Sequence, residues 1–201
     1  MSIHSIEQLR TLYALPKERA VKKQLSALDG HCRQFIGLSP FVVLASQGAD
    51  HALDASPRGG PPGFVKITEA GQVLIPDSPG NNRLDTLENI IHTGRIGMLF
   101  MIPGVDETLR VNGNAYLTTA DELLRLCTTD LKSPKLVIQV DVTQAYLHCA
   151  KAFMRSQLWD ASKKIDRGCL PTMGQMIGEQ TNMSGPSETD AEMLERYKNE
   201  L

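Results

Sequence analysis

The sequence predicts a mainly β domain: a closed or partly closed antiparallel barrel with helices at its periphery. Six or seven short strand-like runs are separated by tight turns that contain Gly and Pro, and strands do not alternate regularly with helices. A doubly wound parallel sheet would need that alternation. Closure of the sheet would also remove the exposed strand edges that such a chain otherwise carries.

The composition of the 201-residue chain excludes several classes of partner. Its net charge of −2 and its 5% of aromatic residues do not fit a single-strand nucleic-acid groove, which combines basic and stacking side chains. The longest apolar runs, 41–45 and 96–102, are too short to cross a bilayer, and the first ten residues lack the apolar core of a signal peptide. We therefore expect a cytoplasmic protein that binds neither nucleic acid nor a membrane.

The cysteines predict reduced thiols and no metal site. The four residues, Cys32, Cys127, Cys149 and Cys169, are widely scattered and form no CxxC pair. A structural zinc ion needs ligands at short spacings.

The first half of the chain predicts one helix followed by several short strands. Residues 16–36 form the helix, because apolar side chains recur on one face and Gly37 ends it. Residues 56–63 contain too much Gly and Pro for an interior strand. The strands expected around that stretch are a buried run over 41–46, a continuation over 52–55, and a hairpin of 64–68 and 72–76 around Glu69-Ala70-Gly71.

The second half contains the most apolar strand, residues 96–102, which turns at Pro103–Asp106 and returns over 107–117. The other elements predicted there are helices over 81–93, 121–127 and 143–158, a strand over 135–142, and helical turns at 173–180 and 188–199. The chain thus divides into an N-terminal helical segment, 1–38, a barrel with edge helices, 39–160, and a helical tail, 161–201.

The stretch Ser56-Pro57-Arg58-Gly59-Gly60 is the first candidate site. It holds a hydroxyl and a guanidinium on a backbone that proline stiffens, and its glycines let a ligand approach the main chain. The planar donor fork of Arg58 suits phosphate oxygens. A surface loop with a solvated arginine explains the same residues.

The stretch Gly80-Asn81-Asn82-Arg83 opens a predicted helix and is the second candidate site. Free backbone N–H groups and the helix dipole favour an anion at such a position, and Arg83 adds a positive charge. An ordinary asparagine cap, with Arg83 paired to Asp85 or Glu88, explains the pattern as well. Because the two stretches flank one hairpin, Arg58 and Arg83 are both expected within reach of a single phosphate.

Taken in order, these motifs resemble a bacterial branch of the pyridoxamine 5′-phosphate oxidase-like FMN flavoproteins. The resemblance covers roughly residues 35–180. It implies a six-stranded antiparallel split barrel, an obligate homodimer, and two FMN molecules at the subunit interface. The matching stretches are Ser-Pro-Arg-Gly at 56–59, Pro-Gly-Phe-Val at 62–65, the run 75–90, Gly-x-Leu-Phe-x-Ile-Pro-Gly at 97–104, Glu-Thr-Leu-Arg-Val-Asn-Gly at 107–113, His-Cys-Ala-Lys at 148–151 and Arg-Ser-x-Leu-Trp at 155–159.

The resemblance assigns phosphate contacts to both candidate stretches. Arg58 corresponds to the strand arginine that meets the FMN phosphate in this family. Asn82 and Arg83 fall where the family supplies further phosphate contacts. Ser56 and Asn81, their polar neighbours, complete the expected phosphate-binding set.

The resemblance also assigns contacts to the flavin ring. Thr108 falls near the position that contacts the isoalloxazine edge, and Arg110 lies two residues along the same strand. Phe64 and Val65 are expected to bring backbone groups beside the ring. Gly60 departs from the family, which usually has an acidic residue at this position.

The predicted helix over 143–158 carries His148, Lys151 and Arg155 at spacings of three and four residues, on one face. These side chains form either an anion site or a solvated face that pairs with neighbouring acidic residues. The resemblance favours an interface or FMN-proximal role for Lys151, Arg155 and Trp159. Trp159, the only tryptophan, is otherwise expected as a dimer-interface anchor.

Two functions are compatible with these features. An FMN-dependent oxidoreductase acting on a small-molecule electron donor or substrate would leave the chemistry to its cofactor, and no side chain is an obvious general acid or base. A non-catalytic flavin- or heme-binding module is the alternative. The C-terminal substrate-binding pattern of the vitamin B6 oxidase is not evident, which favours a related redox role over vitamin B6 oxidation.

Overall fold

A computed structural model describes residues 2–77, 80–129, 133–182 and 188–200. The chain divides into two compact units, Met1–Ser156 and Gln157–Leu201. The first unit contains a single sheet and six helices in its described residues. The helices are α1 (Ile6–Leu12), α2 (Glu18–Lys22), α3 (Gly30–Leu38), α4 (Asp85–Thr93), α5 (Asp121–Cys127) and α6 (Lys151–Ser156).

The sheet is antiparallel throughout and curls into a half-barrel. Its strand order is β2-β1-β5-β6-β7-β4-β3. The prediction of a mainly β antiparallel fold is confirmed, but the count of six strands is wrong, since the two-residue β3 adds a seventh at one edge. The strands are β1 (Phe41–Gln47), β2 (Leu53–Gly59), β3 (Lys66–Ile67), β4 (Val73–Pro76), β5 (Arg95–Met101), β6 (Thr108–Thr118) and β7 (Val137–His148).

The hydrophobic core lies against one face of the sheet. Side chains alternate along each strand, so Val42 and Leu44 of β1 are buried together with Phe100 of β5 and Val111 of β6. The opposite face, called the outer face below, is partly open in this chain. Paired positions on it are Phe41, Val43, Leu99, Met101, Thr108, Arg110, Asn112, Gln144, Tyr146 and His148.

Several predicted elements are confirmed. The hairpin of β3 and β4 turns at Gly71, whose φ of 88° suits glycine. α4 ends at Gly94 in the left-handed region. β5 and β6 pair across the expected turn, and α5 spans the predicted residues.

The predicted helix over 16–36 is wrong, because the structure has two shorter helices, α2 and α3. Leu25, between them, exchanges two backbone hydrogen bonds of 2.9 Å with Ala145 of β7. The Asp29 side chain then accepts a hydrogen bond of 2.8 Å from the Cys32 N–H and caps α3. The sequence pattern indicated the apolar helix face, but it did not predict the Asp29 cap or the pairing of Leu25 with Ala145.

The predicted helix over 143–158 is also wrong. β7 continues to His148, paired with β6 along its length, and only Lys151–Ser156 is helical. A register shift beside Gly113 keeps this long pair in step. A Cβ atom at Gly113 would overlap the Asp141 carbonyl oxygen, so glycine is required at the shift.

The stretch Ser56–Gly59 forms the end of β2, at the edge of the sheet. This agrees with the exclusion of an interior strand, because an edge strand tolerates the missing N–H of Pro57. The loop that follows β4 includes Ser78 and Pro79, which lie outside the described residues.

The second unit is helical. It contains 3₁₀ turns at Ala161–Lys163 and Arg167–Cys169, and the helices α7 (Met173–Thr181) and α8 (Asp190–Glu200). The α7 start carries a reciprocal capping pair between Thr172 and Gln175. Both helices agree with the turns predicted for the tail.

Candidate functional site

Arg58 lies on the half-buried face of β2, two residues beyond Ser56 and four beyond Asp54. Its Nη1 atom donates a hydrogen bond of 2.9 Å to the Pro57 carbonyl oxygen. Burial raises the pKa of Asp77, just after β4, and the positive charges of Arg58 and Lys135 oppose that rise. The Arg58 charge therefore acts on the end of β4, where the loop toward α4 begins.

The Asp54 carboxylate accepts hydrogen bonds from three hydroxyl groups, which belong to three different elements. The Thr86 hydroxyl of α4 donates to it at 2.6 Å, the Ser56 hydroxyl at 2.9 Å, and the Ser46 hydroxyl of β1 at 3.3 Å. Thr86 is buried. The predicted ligand Ser56 thus holds Asp54, and the network fixes α4 against β1 and β2.

The stretch that opens α4 is exposed. The Asn81 side chain accepts a hydrogen bond of 3.0 Å from the Arg83 N–H, and Asn82 takes a left-handed φ of 59°. Arg83 donates from Nε to Asp85 at 2.8 Å, with 78% of its side chain exposed. Of the two pairing partners that the sequence offers for Arg83, Asp85 and Glu88, the structure pairs it with Asp85.

The described residues do not bring the two arginines together in either of the two clefts of this chain. Arg83 lines an open cleft of about 470 Å³ together with Asp54, Glu88 and His92. Arg58 lines neither this cleft nor the larger groove described below. In this single chain, Arg58 and Arg83 each carry their own local hydrogen bond.

Phe64 and Val65 are core residues, with 6% and 3% of their surface exposed. Their side chains pack inside the half-barrel, so neither side chain is available to a ligand. Gly60 lies against this pair: a Cβ atom there would come within 2.7 Å of the Phe64 Cβ and Cγ atoms. The acidic residue usual in the family does not fit here unless Phe64 moves.

Thr108 and Arg110 lie on the outer face, at one end of β6. Thr108 is buried and pairs in register with His148, whereas Arg110 pairs with Tyr146. The Arg110 Nη1 atom donates to the Tyr146 hydroxyl at 2.7 Å. Sequence reasoning missed Tyr146 because it placed 143–158 in a helix, and the polar second half of β7 carries no apolar alternation that would have indicated a strand.

An open groove of about 540 Å³ lies on the outer face at residues 45–47 of β1, 95–97 of β5 and 112–114 of β6. Its lining includes Gln47, Gly97 and Asn112. Asn112 donates to the Gln144 side chain at 2.5 Å. Its exposed lining is mostly apolar, and its charged lining residues are Asp54 and Arg95.

The predicted basic helix face is reduced to two residues. Lys151 and Arg155 are exposed on α6 at a spacing of four, but His148 belongs to β7. Trp159 lies in the second unit. Among the described residues, no cluster of His, Cys, Asp or Glu could hold a metal ion, and none of the described helices is long and apolar enough to span a membrane.

The family model for pyridoxamine 5′-phosphate oxidase matches residues 28–149. The chain belongs to this family. The pyridoxamine 5′-phosphate oxidase match begins just before α3, covers all seven strands, and ends directly after β7. It leaves the unit Gln157–Leu201 outside. No curated protein matches the sequence.

Several solved structures resemble part of this chain at low sequence identity. A histidine-to-alanine variant of HupZ from Group A Streptococcus is 14% identical, with a TM-score of 0.50 over 60% of this chain and 98% of that one. A pyridoxamine 5′-phosphate oxidase-related, FMN-binding protein from Nostoc punctiforme is 12% identical, with a TM-score of 0.41 over 58% and 78%. An FAD-binding protein from Mycobacterium smegmatis is 13% identical, with a TM-score of 0.41 over 60% and 94%.

Proposed function

We propose that the protein binds FMN at the interface of a homodimer and acts as an FMN-dependent oxidoreductase. Membership of the pyridoxamine 5′-phosphate oxidase family supports a flavin ligand. The observation that carries the proposal is the position of Arg58. It is half-buried on an edge strand beside the loop to α4, and its side chain donates a hydrogen bond to a backbone carbonyl.

The donor set fits a phosphate group. Within the described part of the chain, the bond to Pro57 uses one of the five N–H groups of Arg58. The pairing of Arg83 with Asp85 is exposed, and such pairs contribute only about 0–1 kcal/mol, so Arg83 can exchange Asp85 for a dianion at little cost. Asn81 and Asn82 lie in the same loop. The proposal therefore assigns the FMN phosphate to Arg58 and to the stretch before α4.

The ring is assigned to the outer face. FMN, when bound, supplies the electron or hydride chemistry, while the protein binds and orients it. We assign the Thr108 hydroxyl and Arg110 to the ring edge, and the backbone of Phe64 and Val65 to its side. Lys151 and Arg155 are assigned to the interface end of the cofactor, on the strength of the family resemblance. The role of Trp159 stays a prediction of that resemblance.

Flavin binding is tested with Arg58→Ala and Arg83→Ala. Each should weaken FMN binding by about 1.5–3 kcal/mol, because each removes a charge-assisted hydrogen bond. Quenching of FMN fluorescence measures the affinity, with the exposed Arg125→Ala of α5 as a matched control. Unchanged affinity in both site variants would place the phosphate elsewhere, and purified protein that ignores added FMN would end the proposal.

Catalysis is tested separately from binding. The FMN complex is mixed with NADH or NADPH without oxygen, and flavin absorbance is followed. Loss of the absorbance, with its return on admission of oxygen, supports the oxidoreductase. FMN that binds but is reduced by neither donor would favour the flavin-binding module instead.

A further inference from the structure

A cluster of four polar side chains lies on the outer face, where β6 begins and β7 ends. Three of them, Arg110, Tyr146 and His148, belong to these two strands. Strand pairing sets Arg110 opposite Tyr146, and the next pair along is Thr108 with His148. The Arg110 guanidinium donates to the Tyr146 hydroxyl at 2.7 Å, and the Tyr146 and His148 rings lie 4.9 Å apart. The register of two long strands therefore holds these groups together.

The fourth side chain, Lys23, is brought in by the N-terminal segment. The two backbone hydrogen bonds between Leu25 and Ala145 fix this segment beside the second half of β7, beyond the residues that pair with β4. Lys23 then donates from Nζ to the Leu147 carbonyl oxygen at 2.8 Å. Its Nζ atom lies 5.4 Å from the Tyr146 ring centroid, and the Arg110 Cζ atom lies 5.6 Å from it, so both cations flank one ring.

The side chains of the cluster carry many hydrogen-bond donors and few acceptors. Arg110 and Lys23 carry eight N–H groups between them, of which the described hydrogen bonds use two. The Tyr146 hydroxyl accepts from Arg110 and keeps its own proton to donate. Within the described part of the chain, neither cation is hydrogen-bonded to a carboxylate. Such a set is complementary to an oxyanion, which only accepts.

Electrostatics agree with this arrangement. Burial lowers the pKa of His148, and the charges of Arg110 and Lys23 lower it further. These effects favour the neutral form of His148, in which one ring nitrogen carries an N–H donor. The Tyr146 ring also lies beside it.

We propose that Lys23, Arg110, Tyr146 and His148 form a binding site for the carboxylate or phosphate group of a second small-molecule ligand. As the substrate site of the proposed oxidoreductase, it rests on the proposed function; as an anion site, it does not. The site is separate from the phosphate position assigned to Arg58 and Arg83. Its place beside the assigned ring edge fits a molecule that exchanges electrons with the flavin.

The test is an NMR titration of the His148 ring at constant ionic strength. Sulfate stands in for a phosphate group, because it stays dianionic throughout, and acetate stands in for a carboxylate. An anion bound between the two cations favours the protonated ring, so the pKa of His148 should rise and the rise should saturate. The signal is assigned by its absence in His148→Gln, and sodium chloride at the same ionic strength is the blank.

Variants show whether the named side chains bind the anion. Arg110→Gln and Lys23→Gln should each weaken the apparent anion affinity at least about tenfold, as expected for a lost charge-assisted hydrogen bond. Arg125→Gln and Lys22→Gln, which remove exposed charges elsewhere, should leave it unchanged. No saturable response to either anion, or an equal response in the site and control variants, would overturn the proposal.

Repeating the titration with FMN separates the two proposals. Sulfate or acetate that still binds to the FMN complex supports a second ligand site. FMN that itself raises the pKa of His148 and blocks both anions would overturn the inference, because the cluster would then hold the cofactor. Anion binding in a protein that does not bind FMN would refute the proposed function and leave the anion site standing.

Discussion

Gly60 shows how one residue sets the shape of the candidate site. It follows β2 directly, and its N–H donates to the Pro40 carbonyl oxygen at 3.0 Å, so the backbone there is fixed. Phe64, buried in the core, occupies the space that a side chain at residue 60 would need. A protein with an acidic side chain at this position must place Phe64, and the backbone beside it, differently.

Replacing Gly60 should therefore cost stability. Gly60→Ala should lower the free energy of unfolding by about 1–3 kcal/mol, the usual cost of overpacking a fixed site. Gly59→Ala is the matched control, since the nearest atoms to its Cβ lie at 3.6 and 3.9 Å, ordinary contact distances. Urea denaturation followed by circular dichroism measures both. An equal effect of the two substitutions would contradict the close packing of Phe64 on Gly60.

The cysteines should fall into two reactivity classes. Burial raises the pKa of Cys32 and of Cys127 to about 11, whereas Cys149 and Cys169 are exposed. Because the thiolate is the reactive form, the two buried thiols are almost unreactive at neutral pH. A thiol reagent such as DTNB should titrate two groups in the folded protein and four after unfolding. Rapid reaction of a third thiol in the folded state would show that a buried cysteine opens.

At the scale of elements, local patterns predicted the short strands and failed for the longest one. The apolar run of β5, the glycine that ends α4 and the turn residues of the β3–β4 hairpin are each set by near neighbours in the chain. β7 is set by pairing with β6, and its polar second half has no apolar alternation to reveal it. The same failure hid Tyr146 and separated His148 from Arg110 in the expected site.

The two candidate phosphate-binding stretches show the same contrast between features set by near neighbours in the chain and features set by distant residues. Sequence order identified Arg58, Arg83 and the loop between β4 and α4, because these motifs are contiguous. The partners of each side chain were not predictable, since the Asp54 network joins β1, β2 and α4 through hydroxyl groups distant in sequence. Ser56 was consequently assigned to a ligand when its hydroxyl is bound to Asp54.

The register shift in the β6–β7 pair depends on a single glycine. A Cβ at Gly113 would overlap the Asp141 backbone oxygen and come within 2.6 Å of the Val140 Cγ1 atom. Gly113→Ala should lower the free energy of unfolding by about 3 kcal/mol or more, the upper range for overpacking, because backbone cannot move aside locally. Gly97→Ala, on the neighbouring β5, has its tightest contact with the Asn112 side chain at 3.2 Å and should cost less. Thermal unfolding compares them, and a milder effect at residue 113 would contradict the shift.

At the scale of the whole molecule, the outer face is the surface best suited to a second copy of the chain. Its centre is apolar, with Val43, Leu99 and Met101 only half-buried and Phe41 37% exposed. These side chains are adjacent, because β1 and β5 pair Phe41 with Met101 and Val43 with Leu99. Adjacent apolar residues at the middle of an exposed sheet are typical of an interface.

The proposed homodimer can be tested at Leu99, the centre of that patch. Leu99→Arg should give a single-chain mass in analytical ultracentrifugation where the unaltered protein gives twice that mass, because a buried unpaired charge opposes association. FMN affinity should fall with it, since the proposal divides the cofactor between two subunits. Ile91→Arg, at a residue of α4 that is 70% exposed, is the control and should change neither property. A folded Leu99→Arg variant that stays dimeric, or an unaltered protein that binds FMN as a monomer, would exclude the outer face as the seat of a shared cofactor.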